Sequence, residues 1–466
     1  MSKAEFGMVG LGTMGRNFLL NIAERGFSAA GHDIDPAKCR LLGQEGMRLS
    51  IDPFDVLADF IDALKPPRRI MLLVPAGKVV DTVIEGLVPL LAPGDLVIDG
   101  GNSHFTDTDR REAYLKEKGI RFLGVGVSGG EDGARHGPSI MAGGQADSYE
   151  MVRSVFEAAS AKVNGEPCAA LVGRGSAGHF VKMTHNGIEY AMMQLIAETY
   201  DLLKRGCGLD SDKIGDLFAK WNEGKLNSFL IEITSFILKK RDAETGRPLV
   251  EMILDTAGQK GTGRWTSQAA MDLGVPIPTI DSAVTMRQIS ARKQLRETFA
   301  RQFAPSSLNN YELVASNLKD SLFAGFLLAY AQGLSLLHAA STETKYELDI
   351  AEIAKIWRGG CIIRAAMLDD IREAFEADPE LSNLIGSSRF QEILDAGYDA
   401  LRTVNSVAVS AGIPTMAFAS TLNYLTSFRT ERLPANLIQA QRDHFGAHTY
   451  QRIDREGTFH TDDWEM

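Results

Sequence analysis

The stretch FGMVGLGTMGRN, residues 6–17, decides how the rest of the chain is read. A short apolar run enters Gly10, Gly12 and Gly15, spaced as GxGxxG, and a helical pattern follows. The spacing alone is weak and also fits a tight strand–helix turn with no ligand. After an apolar strand, at the start of a βαβ unit, it reads as a turn whose glycines admit a pyrophosphate. The following helix N-terminus then supplies N–H donors and positive dipole. Gly10, Leu11, Gly12, Thr13, Met14 and Gly15 are therefore the expected cradle of a dinucleotide.

Working outward, IMLLVPAG (70–77), LVIDGGNS (96–103) and FLGVGVSGG (122–130) repeat the theme of an apolar run ending in glycine or a turn. Alternated with helical patterns, they predict an α/β Rossmann-like domain over 1–177, with a doubly wound parallel sheet and ligands at the strand ends. Beyond 178 helical periods dominate, over 178–205, 211–219, 225–240, 281–304 and 309–342, and predict a large all-α region over 178–432. The polar, aromatic segment 433–466 reads as a C-terminal tail that packs on something else. The most apolar run, SLFAGFLLAYAQGLSLL (321–337), is shorter than the ~20 residues of a membrane span and contains Gln332, so a core helix is expected and no membrane partner.

The second strand ends near GHDIDPAK (31–38). Asp33 follows Gly15 by 18 residues, close to the ~20 expected for an acid that binds the adenosine ribose. A carboxylate there favours NAD over NADP, whose 2′-phosphate it repels. Ile34 and Asp35 follow, with no arginine before Arg40. The same acids could also merely shape a turn before Pro36.

Composition narrows the function further. The formal net charge of −11 argues against nucleic-acid binding and requires a local cationic cluster for any anionic ligand. The cysteines, Cys39, Cys168, Cys207 and Cys361, lie far apart with no metal-ligand spacing, which suggests thiols in a reducing compartment and no metal cofactor. The N-terminus has no signal-peptide pattern, so a cytoplasmic protein is expected.

One helical stretch carries unusual chemistry. In VKMTHNGIEY (181–190), at about 100° per residue, Lys182, His185, Asn186 and Glu189 share an arc of about 100°. Phe180, Ile188, Ala191 and Leu195 take the opposite side. A solvated face with a Lys–Glu pair would seldom use His and Asn, which are poor helix formers. Beside a dinucleotide, a lysine and a glutamate suggest acid–base work around hydride transfer. A buried lysine with lowered pKa can accept an alcohol proton, and its ammonium can then polarise the ketone. If a carboxylate lies β to that ketone, CO2 can leave, and Glu189 can protonate the resulting enol.

At these residues the chain resembles the decarboxylating 6-phosphogluconate dehydrogenases. The resemblance rests on VIDGGNS (97–103), GVSGGEDGARHGPSIM (126–141), GHFVKMTHNGIEY (178–190), ILDTAGQKGTGRWT (253–266), IWRGGCIIR (356–364) and LPANLIQAQRDHFGAHTY (433–450), in order along nearly the whole chain. It implies oxidation of 6-phospho-D-gluconate at C3, loss of CO2 and formation of ribulose 5-phosphate, in the oxidative pentose phosphate pathway. It implies Lys182 as general base and Glu189 as general acid. Asn102, His185 and Asn186 would hold sugar hydroxyls; Ser128, Gly129 and Gly130 would hold the C1 carboxylate end. Tyr190, Lys260, Thr262 and Arg287 would meet the phosphate, with Arg442 and His448. Because the family's tail enters the neighbouring subunit, these last two imply a homodimer with tail exchange. Val74, Pro75, Ala76 and Asn102 would join the cofactor site.

The departures lie mostly at that site. NADP-using members typically carry Asn-Arg-Thr at Asp33, Ile34 and Asp35, and often Lys at Pro75. Both changes remove positive charge and agree with NAD. Arg264 and Ala142 stand where Lys and Pro are common. Two alternatives remain open from the residues: another 3-hydroxy acid dehydrogenase without the phosphate, or an inactive dinucleotide-binding protein.

Overall fold

The first strand, β1 (Phe6–Val9), is buried at every residue and pairs in parallel with β2 (Ala29–His32) on one side and β4 (Arg69–Leu72) on the other. A strand covered on both faces needs apolar residues throughout rather than alternation, which is why its run is continuous. In the computed structural model, which describes residues 3–259, 261–303 and 315–464, eight strands form one sheet. The others are β3 (Ile51–Phe54), β5 (Leu96–Asp99), β6 (Arg121–Ser128), β7 (Ser139–Gly144) and, after a two-residue ladder of β8 (Lys162–Val163) with β9 (Glu166–Pro167), β10 (Ala169–Gly173). Their order is β10-β7-β6-β5-β4-β1-β2-β3. The order reverses at β1 and β4, and the crevice at their carboxyl ends is where ligands bind in open α/β sheets. The glycine turn of residues 10–15 occupies that point.

The sheet is mixed rather than parallel throughout, which corrects the sequence expectation. β7 runs antiparallel to β6, and β10 runs parallel to β7. Only residues 129–138 join β6 to β7, and parallel neighbours need a crossover of about a dozen residues or more. The chain must therefore fold back.

The helix Ala177–Asp201 follows β10 directly and lies across β6 and β7. It approaches them as backbone on backbone. A Cβ built on Gly178 would fall 2.2 Å from the Gly124 carbonyl oxygen, and one on Gly126 would fall 2.4 Å from the Lys182 Cβ. Successive side chains of a strand alternate between faces, so Gly124 and Gly126 clear one face of β6 for this helix.

Further helices include Ser211–Asn222, Phe229–Lys239 and Ala315–Thr344. The apolar run 321–337 lies within the last of these, whose most apolar window is 78% buried inside the protein. The expected helix 281–304 is two, Pro278–Ser290 and Lys293–Gln302; no Gly or Pro marks the break. The helix Thr262–Asp272 had no clear sequence period, because it starts directly out of the glycine-rich loop at Gly261, whose φ is +105°. Residues 309–314, expected to begin the long helix, lie outside the described residues. Cys39, Cys168 and Cys361 are buried thiols outside any disulfide.

The chain separates into two compact units, Met1–Thr421 and Leu422–Met466. The expected boundary at 177/178 falls inside the first, between β10 and the helix that follows. The second unit has a hub of its own. The buried Asp443 carboxylate, on the helix Ala435–Gly446, accepts hydrogen bonds from Thr449 N (2.9 Å), Thr461 N (3.0 Å) and Trp464 Nε1 (3.1 Å), and pairs with His460 Nδ1 (2.8 Å). A short hairpin, β11 (Tyr450–Gln451) with β12 (Thr458–Phe459), completes it.

Glu198, near the end of the Ala177–Asp201 helix, is buried and receives the N–H groups of Ala417 and Phe418, each at 2.9 Å, and the Gln194 side chain at 3.0 Å. It caps the start of the helix Met416–Phe428; burial pushes its carboxyl up to about 7. Glu198→Gln keeps the size but turns an NH2 toward one of two N–H donors, and should cost about 1–3 kcal/mol, read as a lower urea midpoint.

Candidate active site

The glycine turn has the shape a pyrophosphate needs. A Cβ on Gly15 would meet the Gly10 carbonyl oxygen at 1.9 Å, and one on Gly10 would meet the Leu73 carbonyl oxygen at 2.5 Å. A Cβ on Gly12 would meet nothing within 4 Å. Two glycines thus close the turn against protein, and the middle one faces open space. The helix Thr13–Glu24 begins there with no acidic residue in its first turn, which leaves N–H donors and dipole available to an anion. The residues fit a dinucleotide.

Asp33 sits just beyond β2 and is buried. Its carboxylate accepts Leu11 N (2.8 Å) and Asp35 N (2.9 Å), and the Lys38 ammonium lies 3.2 Å away. Burial pushes this carboxyl up, but those two N–H groups and Lys38 outweigh it and hold it below its ordinary value. Ile34 is 90% exposed. Asp35 caps the helix Pro36–Glu45 through Ala37 N (2.9 Å), so the turn-shaping reading applies to it in part. Val74, Pro75 and Ala76 form the loop after β4, and Asn102, exposed, follows β5.

The polar stripe lies on the Ala177–Asp201 helix. Lys182 Nζ is 3.5 Å from His185 Nδ1, which is 3.1 Å from Asn186 Oδ1 and 3.8 Å from Glu189 Oε2. The helical arc read from the sequence is thus a physical line of contacts. Burial pushes the Lys182 ammonium below its ordinary value, against the opposing pull of Glu189 and Cys361. Burial likewise raises Glu189, against Lys182 and Arg287. His185 is held well below its usual value by burial and by Lys182, so it is neutral. A neutral ring that donates through Nδ1 to Asn186 accepts the Ser128 hydroxyl at Nε2, 3.2 Å away. Ser128 ends β6, and Gly129 and Gly130 turn the chain into the helix Gly130–His136, both at positive φ.

The stripe continues to a second cluster. Asn186 Nδ2 donates to Thr262 Oγ1 at 3.1 Å. The Arg287 guanidinium stacks 3.5 Å above the Tyr190 ring and donates to the Gly258 carbonyl at 2.9 Å. Lys260 lies outside the described residues. Arg442 and His448 belong to the second compact unit, where both are exposed and Arg442 Nη1 donates to Gln439 (3.1 Å). Among the described residues no group of His, Cys, Asp or Glu is placed to hold a metal ion.

Two family models divide the chain between them: the NAD binding domain of 6-phosphogluconate dehydrogenase matches residues 5–173, and the 6-phosphogluconate dehydrogenase C-terminal domain matches 178–464. The chain belongs to the 6-phosphogluconate dehydrogenase family. The NADP(+)-dependent, decarboxylating 6-phosphogluconate dehydrogenase of Bacillus subtilis is 50% identical, with 99% of each chain covered. The decarboxylating enzyme of Escherichia coli is 46% identical over the same shares. The Plasmodium falciparum 6-phosphogluconate dehydrogenase structure superposes with a TM-score of 0.94 at 40% identity, covering 98% of this chain and 99% of that one. The Bacillus relative's name specifies NADP(+).

The structure adds residues around this family site that the sequence reading missed. Lys38 is one: its ammonium reaches back one helical turn to Asp33, a contact that an inspection for arginine overlooks. Arg111 is another. Almost fully buried, it donates to Asp81 (2.8 Å), Asp99 (3.0 Å), Ser103 Oγ (3.0 Å) and the Gly77 carbonyl (3.0 Å), tying the loops after β4 and β5 together. Trp265 is a third, its ring edge-on to His104 at 5.0 Å. Tertiary proximity alone reveals Arg111 and Trp265.

Gly15→Ala sets a methyl where a carbonyl oxygen already lies. Relieving that overlap costs about 1–3 kcal/mol and should weaken dinucleotide binding on the order of tenfold. Fluorescence titration with the reduced dinucleotide checks this, with a melting curve to show that the fold persists.

Proposed function

We propose that this chain oxidises 6-phospho-D-gluconate at C3 and decarboxylates it to D-ribulose 5-phosphate and CO2, with reduction of a nicotinamide dinucleotide, in the cytoplasm. The observation that carries the reading is the Lys182–His185–Glu189 line, with Lys182 and His185 buried, on the helix that also carries Tyr190 under the Arg287 guanidinium.

Lys182, made less basic by burial, takes the C3 hydroxyl proton; a nicotinamide dinucleotide held by the glycine turn would supply the hydride acceptor for C3. The resulting ammonium polarises the new ketone, which lies β to the C1 carboxylate and so lets CO2 depart as an enol forms. Glu189, whose raised pKa favours its acid form, delivers a proton to carbon. Ser128, Gly129 and Gly130 hold the carboxylate end, and Asn102, His185 and Asn186 the hydroxyls. Tyr190, Lys260, Thr262 and Arg287 receive the phosphate, joined by Arg442 and His448 from a second copy of the chain in a homodimer. Such a cluster meets the requirement that the net charge of −11 sets for an anionic ligand.

For the cofactor we favour NAD. Asp33 is ionised, and the cation nearest to it, Lys38, is already paired with it. A 2′-phosphate there would face that carboxylate with no arginine in the segment 33–39.

Assay of the purified protein with 6-phosphogluconate should give reduced cofactor and CO2, with the larger kcat/KM for NAD; a larger value with NADP overturns the cofactor reading alone. Lys182→Met should remove oxidation, by at least about a hundredfold. Glu189→Gln should leave the base and slow completion of the reaction by a similar factor. The pH profile of kcat should be bell-shaped. Its acidic limb marks Lys182 losing its proton, at a pH below the usual lysine range. Its alkaline limb marks Glu189 losing its own, above the usual carboxylate range. Near-wild-type rates in both variants would remove this helix from the chemistry.

A further inference from the structure

His179 is one helical turn ahead of Lys182 and is completely buried, yet the chemistry above does not use it. Its Nδ1 is 2.6 Å from Thr108 Oγ1, on the helix Phe105–Glu117, and Thr108 Oγ1 also meets the His104 carbonyl at 3.2 Å. The other ring nitrogen lies beside the Asp99 and Gly101 carbonyls but completes hydrogen-bond geometry with neither. A Cβ on Gly124 would fall 3.0 Å from Nδ1, so β6 confines the ring from a third side. Burial holds the imidazole below its usual pKa, opposed by Asp99 and reinforced by Arg111. A neutral, buried histidine with one nitrogen anchored and the other short of two carbonyls is unusual, because buried polar atoms are normally satisfied.

The neighbours of those carbonyls give the ring its importance. Asp99 and Gly101 begin the loop that presents Asn102, and Asp99 is fixed from below by Arg111 (3.0 Å) and Ser103 (2.7 Å). His179 is therefore a side chain through which the helix bearing Lys182 approaches the loop bearing Asn102. We propose that His179, anchored by Thr108, is a positioning residue that sets the spacing between Lys182 and Asn102. With the Thr108 hydroxyl donating to Nδ1, the neutral ring carries its proton on Nε2, and that N–H closes on the loop carbonyls when substrate and dinucleotide are bound. A displacement of about 1 Å at a reacting group can lower a rate by on the order of a hundredfold, so a small error in this spacing reaches the chemistry. The inference rests on Lys182 being the base.

Thr108→Val tests it, since it removes the hydroxyl while keeping the shape, and Thr108→Ser restores the hydroxyl. Thr108→Val should lower kcat on the order of tenfold and shift the acidic limb of the kcat profile that reads Lys182. Thr108→Ser should return both kcat and the limb toward wild type. Should Thr108→Val fold poorly, His179→Asn, which retains a side-chain donor, gives the same readouts. The inference is overturned if kcat stays within about twofold of wild type, or if kcat falls with an unmoved limb, as loss of active fraction alone would produce. A Lys182→Met variant run in parallel separates the two readings. If it is inactive while Thr108→Val is normal, only the positioning role fails; if it is active, the assigned base fails with it.

Discussion

The contact on which the site depends is the seat of the Ala177–Asp201 helix on the sheet. Gly178 meets the Gly124 carbonyl, and Gly126 meets Lys182, at separations that leave no room for a single methyl group. Most helices rest on sheets through interleaved side chains, which permit small shifts. Here backbone touches backbone, so the rise and rotation of the helix are set by hard contacts. Lys182, His185 and Glu189 inherit their positions from that seat. The approach also buries Lys182, and burial is the principal reason that its ammonium is disfavoured.

Electrostatics then follow from geometry. One solvent-poor stripe lowers a lysine, raises a glutamate and keeps the histidine between them neutral. Opposite displacement of a base and an acid is the arrangement a proton-transfer site needs near neutral pH. Two further charges are fixed by their own partners: Arg287 stacks on Tyr190, and Asp33 accepts the Leu11 N–H.

Much of this was legible in the chain itself, and for identifiable reasons. The spacing of Gly10, Gly12 and Gly15 reports a local steric requirement, so it survives in one dimension. The stripe of Lys182, His185, Asn186 and Glu189 is visible because helical periodicity converts sequence spacing into direction. The antiparallel turn of β7 was missed because each strand was read by itself, although the length of residues 129–138 held the answer. The helix Thr262–Asp272 was hidden by the glycines before it. Arg111 carries no local mark at all; its four acceptors come from two separate stretches, 77–81 and 99–103, that meet only after folding.

The strand order has an evolutionary consequence. β2 and β3, with Asp33 at the end of β2, lie toward one edge of the sheet, whereas β6, β7 and β10, which carry the Lys182 helix, lie toward the other. On the function proposed above, nucleotide choice and bond chemistry are therefore housed in separate parts of the sheet. A few substitutions beside β2 would then alter the choice between pools of reducing power while leaving the Lys182 helix and its supporting strands unchanged.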